Sequence, residues 1–320
     1  MTNSSYNNKK PLIILTGPTA VGKTDLSINL ARKLNAEIIS ADSAQVYKGM
    51  DIGSAKITKE EMQGVRHHLI DIIEPDEEFD VTIFQSLAKK ALDDIYSRGH
   101  IPIIVGGTGF YIQALLYDIN FNIEGETSQY REELEKYVEE TGDIDKLYNE
   151  LKQVDPVSAE KIHKNNIRKV IRALEYFHFH NEPISLHNEQ ERSRESAYNS
   201  LYFVLNMDRS VLYERINKRV DIMKDSGLLE EVKSLTAKGY GSELTSMQAI
   251  GYKEIISYLN GEYSLDEAFE QIKLNTRHFA KRQLTWFRRE KDVIWVNKDG
   301  RTEEDILEEI LEKIKEKINV

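Results

Sequence analysis

The 320-residue sequence contains no cysteine. That excludes disulfides and thiolate metal sites and favours an intracellular address. It has no apolar run long enough to cross a membrane, and Met1 to Lys10 is polar where a secretion signal would be apolar. A soluble, cytoplasmic chain is expected. Internal repeats and low-complexity tracts are also missing. Basic charge is short overall, with 43 Lys and Arg against 54 Asp and Glu, a net charge of −11. Summed over the surface this argues against a nucleic-acid partner, but binding depends on local patches. The distribution is uneven. Asn122 to Glu150 carries ten acidic and three basic residues, whereas Ile272 to Lys291 carries seven basic and one acidic. The second segment is where a phosphate backbone would be met.

Short apolar runs alternate with helical stripes in the N-terminal part. Pro11–Thr16 (PLIILT), Ala36–Ser40 (AEIIS) and Ile101–Val105 (IPIIV) read as buried strands. Leu26, Leu30 and Leu34 share one helical face, and Phe84 to Tyr96 has the same periodicity. Such alternation predicts a parallel sheet whose following loops lie along one edge. From Glu124 to about Ser200 only helical periodicity is present. Strand pattern returns at Leu201–Asn206, helices follow to Leu259, and a short strand at Val293–Val296 precedes an amphipathic helix at Glu303–Ile318. The expectation is an α/β P-loop core with an inserted helical domain. The core would comprise 1–121 and 200–320, and the insertion 122–199.

Gly17-Pro18-Thr19-Ala20-Val21-Gly22-Lys23-Thr24 fits the P-loop pattern G-x-x-x-x-G-K-[ST] in full, between a predicted strand and a predicted helix. The glycines let backbone N–H groups wrap a phosphate, Lys23 adds a charge, and the Thr24 hydroxyl is a candidate Mg²⁺ ligand. ATPases and GTPases usually add a carboxylate at the end of a second strand. Here IPIIV runs into Gly106-Gly107-Thr108-Gly109 instead, which weakens that reading, although Asp42 after AEIIS keeps a metal role open. A carboxylate beside a diphosphate is repelled unless a metal or a proton transfer uses it. Asp42 is therefore a candidate general base or, equally, a turn or cap residue. Thr108 is a candidate phosphate donor or a plain turn residue.

GPTAVGKT at 17–24, ISADSAQVYKGMDIGSAK at 39–56, GGTGFY at 106–111, AIGYKE at 249–254 and RHFAKRQLTWFR at 277–288 occur in order along nearly the whole chain. Together they resemble bacterial tRNA dimethylallyltransferases. The departures are Ser54, where many members have threonine, and the absence of the zinc finger that some eukaryotic relatives carry. The resemblance implies that the P-loop holds the diphosphate of dimethylallyl diphosphate rather than ATP, with Mg²⁺ near Thr24. It implies that Asp42 is the base for the exocyclic amine of the adenosine 3′ of the anticodon, and that Thr108 and Arg219 contact the departing diphosphate. Arg215, one turn away, is the alternative to Arg219. It also places tRNA contacts at Asp42, Ser43, Ala44 and Gln45, at Arg131, at Arg168, Lys169, Val170, Ile171 and Arg172, and at Gln248, Ala249, Ile250, Gly251, Tyr252 and Lys253. The implied partner is the anticodon stem-loop of tRNA. No membrane is involved, and a monomer is expected.

The chemistry is consistent with that implication. An adenine amine becomes acidic only as its bond to carbon forms, so a carboxylate can accept the proton late. Stabilising the leaving diphosphate should dominate catalysis. The target adenine must leave the loop stack, at a cost of a few kcal/mol.

Lys273, Arg277 and Lys281 recur at i, i+4, i+8 on a predicted helix from Leu265. Like charges so spaced repel, which a phosphate backbone would explain, as would a solvated face. Trp286 and Phe287 are either base-stacking platforms or core. Arg168 and Arg172 share the outer side of a helix whose inner stripe is Ile167, Val170, Ile171, Leu174 and Phe177. His178, His180 and His187 read as structural rather than as metal ligands. A kinase or NTPase would need the missing metal carboxylate. Prenyl transfer to free adenylate would leave the basic stripes without a role, and an RNA-binding module would not need a complete P-loop.

Overall fold

The computed structural model describes residues 9–119 and 129–318. The apolar runs do form strands: β1 (Pro11–Thr16), β2 (Ala36–Ala41), β3 (His67–His68), β4 (Ile101–Gly106), β5 (Asn199–Asn206) and β6 (Val293–Asn297). They make one parallel sheet in the order β3-β2-β4-β1-β5-β6. Residues of β1, β2 and β5 are buried almost throughout, as parallel strands covered on both faces must be. The crossovers carry α1 (Lys23–Leu34), α2 (Val81–Ser97) and α3 (Gly109–Leu116). Helix α1 starts at Lys23, earlier than its leucine stripe implies, because Gly22 turns the chain with φ 87°. Asp80 caps α2 by accepting from the N–H groups of Thr82 and Ile83.

Two compact units emerge. One runs through Leu116 and resumes at Ala197, and the other is Tyr117–Ser196. The second consists, among the described residues, of helices α4 (Gln129–Thr141), α5 (Ile144–Val154), α6 (Pro156–Lys161), α7 (Ile167–His180) and α8 (Ile184–Ser193). Leu147, Leu151, Ala159, Val170, Ile171 and Leu174 form its core. Fully buried Asp155 caps α6 through Ser158 N–H (2.9 Å) and reaches α8 through the Ser185 N–H (2.9 Å) and hydroxyl (2.7 Å).

The first unit is completed by α9 (Arg209–Asp225), α10 (Leu228–Ala237), α11 (Tyr252–Leu259), α12 (Leu265–Phe287) and α13 (Glu303–Lys317). Ile306, Ile310 and Ile314 of α13 join Leu26 and Leu30 of α1 and Phe203 of β5 in its main core. Glu37, near the start of β2, is 4% exposed. It is surrounded by Arg98 (2.8 and 3.0 Å), His68 (2.7 Å) and His100 (2.7 Å). Burial alone would raise its pKa, but these partners, Arg98 foremost, hold it down at about 2. Among the described residues no helix is long and apolar enough to cross a membrane.

Candidate active site

Sheet register sets the site. Gly106 pairs with Thr16 on one side and Ala41 on the other, so the residues that follow, Gly107, Gly17 and Asp42, leave the sheet at one level. Thr16 fixes this edge by donating its hydroxyl to Gly106 O (2.6 Å), and the Thr108 N–H reaches Ala41 O (3.2 Å). Gly106 must be glycine, because a Cβ there would lie 2.2 Å from Ala41 O. The P-loop, the glycine turn after β4 and the turn after β2 therefore leave neighbouring strand ends at one edge of the sheet.

Lys23 Nζ donates to Gly17 O (3.0 Å) and Pro18 O (2.9 Å), so the ammonium sits inside the loop it helps to shape. Burial, and then the charge of Arg219, push its pKa from 10.5 down to about 7 against the opposing pull of Asp42. Arg219 donates to the Thr19 hydroxyl (3.4 Å), and Arg215 donates to Ala20 O (2.8 Å). The two alternatives left open by the sequence thus both touch the P-loop. Arg219 is itself lowered, by burial first and by Arg215 second. Asp42 is half-buried. Its Oδ1 accepts from the N–H of Ala44 (2.9 Å) and Gln45 (3.4 Å), which holds that oxygen against the turn.

Two further residues close the P-loop: Gln283, which lies within the 277–288 motif without a role of its own there, and Lys298, which lies in no motif. Gln283 of α12 accepts from Thr19 N–H (2.8 Å) and donates to Gly107 O (3.0 Å), joining the P-loop to the glycine turn that carries Thr108. Lys298, after β6, donates to Gly22 O (3.3 Å), and burial lowers its pKa. Both are single side chains brought in from more than 250 residues away, so no local spacing announces them.

The arrangement is a P-loop ringed by cationic side chains with one carboxylate beside it, and comparison with known proteins gives it a family. The IPP transferase family model matches residues 45–290. The chain belongs to the IPP transferase family. It is 60% identical over 301 residues to a tRNA dimethylallyltransferase of Lachnoclostridium phytofermentans, covering 94% of this chain and 96% of that protein. A tRNA dimethylallyltransferase of Bacillus subtilis is 52% identical over 91% of this chain and 92% of its own length. The crystal structure of a tRNA isopentenylpyrophosphate transferase from Bacillus halodurans superposes with a TM-score of 0.72 at 45% identity, covering 97% of this chain and 98% of that one.

Relative to that family's pattern, the remaining expected contact residues are distributed as follows. Ser43 is exposed and Gln45 half-buried beside Asp42. Gln248 is exposed, but Tyr252 is fully buried and donates its hydroxyl to Glu231 (2.7 Å). In the inserted unit Arg168, Lys169 and Arg172 are exposed, whereas Val170 and Ile171, 1% and 2% exposed, belong to the core. What that turn of helix offers outward is its three basic side chains. Arg131 is ion-paired with buried Glu175.

On α12 the basic stripe divides. Lys273 is held by Asp221 of α9 (2.8 Å) and Glu270 (2.9 Å), and Arg277 donates to Asn217 of α9 (2.7 Å). Lys281 is exposed and lines an open hollow of about 370 Å³ with His278, Arg282, Trp286 and Arg289. Trp286 packs against Gly109, where a Cβ would lie 2.3 Å from its ring, and Phe287 is fully buried core. His178 stacks on Tyr130, and His180 and His187 lie against Tyr176. No group of three or more potential metal ligands of the His, Cys, Asp and Glu type occurs among the described residues.

Proposed function

We propose that Asp42 accepts the proton from N6 of the adenosine immediately 3′ of the anticodon while Lys23, Arg219, Thr108 and the loop N–H groups hold the departing diphosphate. The activity itself is that of the family: this chain transfers a dimethylallyl group from dimethylallyl diphosphate to a tRNA adenosine. The observation that carries the residue assignment is the common level of Gly17, Gly107 and Asp42 at the sheet edge, with Lys23 electrostatically between Arg219 and Asp42.

In this reading the N6–carbon bond forms as the carbon–oxygen bond to the diphosphate breaks. Electrons pass to the diphosphate, and the N6 proton passes to Asp42. Its Oδ1 is engaged by the turn N–H groups, which leaves Oδ2 for the transfer. Charge develops mainly on the leaving group, which this reading gives to Lys23, Arg219 and the backbone donors. Thr24, exposed beside Lys23, offers one hydroxyl, and no carboxylate cluster accompanies it among the described residues. That donor set suits Mg²⁺, which keeps waters and takes substrate phosphate oxygens. Held by Thr24, Mg²⁺ would neutralise diphosphate charge.

The substrate we assign is the anticodon stem-loop, met in the cytoplasm, with phosphate contacts from Lys281 and, in the inserted unit, from Arg168, Lys169 and Arg172. The test is Asp42→Asn, followed by incubation with tRNA, dimethylallyl diphosphate and Mg²⁺ and nucleoside mass analysis. The rate should fall by about 10²–10⁴ with tRNA affinity little changed. Lost tRNA binding with proportionate turnover would instead make Asp42 a positioning group.

A further inference from the structure

One carboxylate outside the phosphate cradle has an unusual set of partners. Glu231, in the first turn of α10, accepts four hydrogen bonds. Its Oε2 takes the N–H of Asp51 (3.0 Å) and of Ile52 (2.7 Å), and its Oε1 takes the N–H of Gly53 (3.1 Å) and the Tyr252 hydroxyl (2.7 Å). Three consecutive backbone donors converging on a side chain 178 to 180 residues away make a nest filled by the protein's own anion. The positive end of α10 favours the charge. Tyr252 packs against the same loop so closely that a Cβ on Gly53 would lie 2.5 Å from its ring.

The loop so held leads back to the reacting centre. Ser54 O and Ala55 O accept from the Gln45 side-chain amide (3.4 and 3.3 Å), and the Gln45 N–H in turn donates to Asp42 Oδ1. A second tie is Lys56, whose ammonium joins Asp51 (2.6 Å) to Tyr47 O (2.6 Å). The loop also abuts Gly251. The 51–55 loop thereby joins the 42–45 turn to the 249–253 segment, and Glu231 bonds both the loop and Tyr252.

We infer that Glu231 is a positioning residue for prenyl transfer: it anchors the 51–55 loop, and through that loop sets the placement of Asp42 and the 42–45 turn against the incoming adenosine. This rests on the assignment of Asp42 as the base. The four hydrogen bonds of Glu231 go to the 51–53 backbone and Tyr252 and not to the phosphate cradle, so its effect should fall on the acceptor side alone.

The test is steady-state kinetics on Glu231→Gln and Gly53→Ala with tRNA and dimethylallyl diphosphate varied separately. Glu231→Gln keeps the shape but sets an NH₂ group against backbone donors. Gly53→Ala sets a Cβ against the Tyr252 ring and displaces the loop with the carboxylate intact. Each should lower kcat by about 10- to 100-fold and raise KM for tRNA, with KM for the donor within about twofold of the parent. Because both break one anchor, the double variant should be little worse than the worse single one.

Parental kcat and tRNA KM in Glu231→Gln would overturn the inference, as would loss of donor affinity in step with kcat, which marks general damage. If Glu231→Gln does not fold, Gly53→Ala decides by the same two criteria. A parental rate in Asp42→Asn would remove the base and leave the anchor standing, since tRNA KM in the loop variants is read independently.

Discussion

Titrating dimethylallyl diphosphate into the enzyme at pH 8, in two buffers of different ionisation enthalpy, should draw close to one proton from solution per donor bound. Lys23 has a pKa of about 7, so at pH 8 only about one molecule in eleven carries the ammonium. The donor's phosphate groups titrate near about 6 and are already ionised, so they cannot take the proton up. Returning Lys23 from about 7 to 10.5 requires about 5 kcal/mol of preferential interaction with the charged form. An ammonium about 3 Å from one phosphate charge, at an effective dielectric of about 20, supplies about 5 to 6 kcal/mol. The magnitudes match, so bound Lys23 should be fully protonated and the uptake about 0.9 proton. At pH 6 the group is mostly charged beforehand, and its share should drop to about 0.1. Lys23→Met should abolish the uptake at pH 8 and weaken binding. Heats that do not depend on the buffer at pH 8 would refute the reasoning, because Lys23 would then be charged before the donor arrives.

Glu37 should give the fold an acid-sensitive term. Its pKa is depressed from 4.5 to about 2, so its contribution is complete above 4.5 and is lost as pH falls through 2; thermal unfolding of Glu37→Gln between these values should show a flatter pH dependence than the parent. On α12, Lys281→Ala combined with Arg282→Ala should weaken tRNA binding and flatten the slope of log affinity against log salt by somewhat under one unit for each phosphate no longer neutralised. Lys273→Ala should leave that slope unchanged and lower stability by less than about 1 kcal/mol, because its ammonium is committed to Asp221 and Glu270; a flattened slope would show that it leaves them for phosphate. Product formation should need no ATP, and inorganic diphosphate should compete with the donor; a strict ATP requirement would contradict the P-loop assignment.

The P-loop and the strands around it were legible because their constraints are local. GPTAVGKT must follow a strand and open a helix, and PLIILT and IPIIV are apolar because parallel strands are covered on both faces. Asp42 was legible for the same reason, since the residue after β2 lies at the sheet edge wherever β2 pairs. What the sequence could not disclose was assembled by approach. Gln283, Lys298 and Glu231 are ordinary helix or turn residues until α12, the loop after β6 and α10 carry them to backbone groups far away in the chain. The α12 stripe shows the boundary clearly. Spacing at 273, 277 and 281 told that three cations needed partners, but two of the nearest partners, Asp221 and Asn217, sit on α9, which no periodicity can reveal.

The chain leaves the sheet unit at Leu116 and rejoins it at Ala197, and the Ala197 N–H is hydrogen-bonded to Leu116 O at 3.1 Å. The two ends of an 80-residue excursion are thus already side by side. Closing that gap with a turn of a few residues would ask almost no rearrangement of the sheet. Loop-closure entropy grows by only about 0.6 kcal/mol for each doubling of length, and the excursion has a core of its own, so the sheet unit tolerates one of this size. The fold therefore has a socket. What is grafted there can differ in size and sequence while the register that aligns Gly17, Gly107 and Asp42 stays as it is.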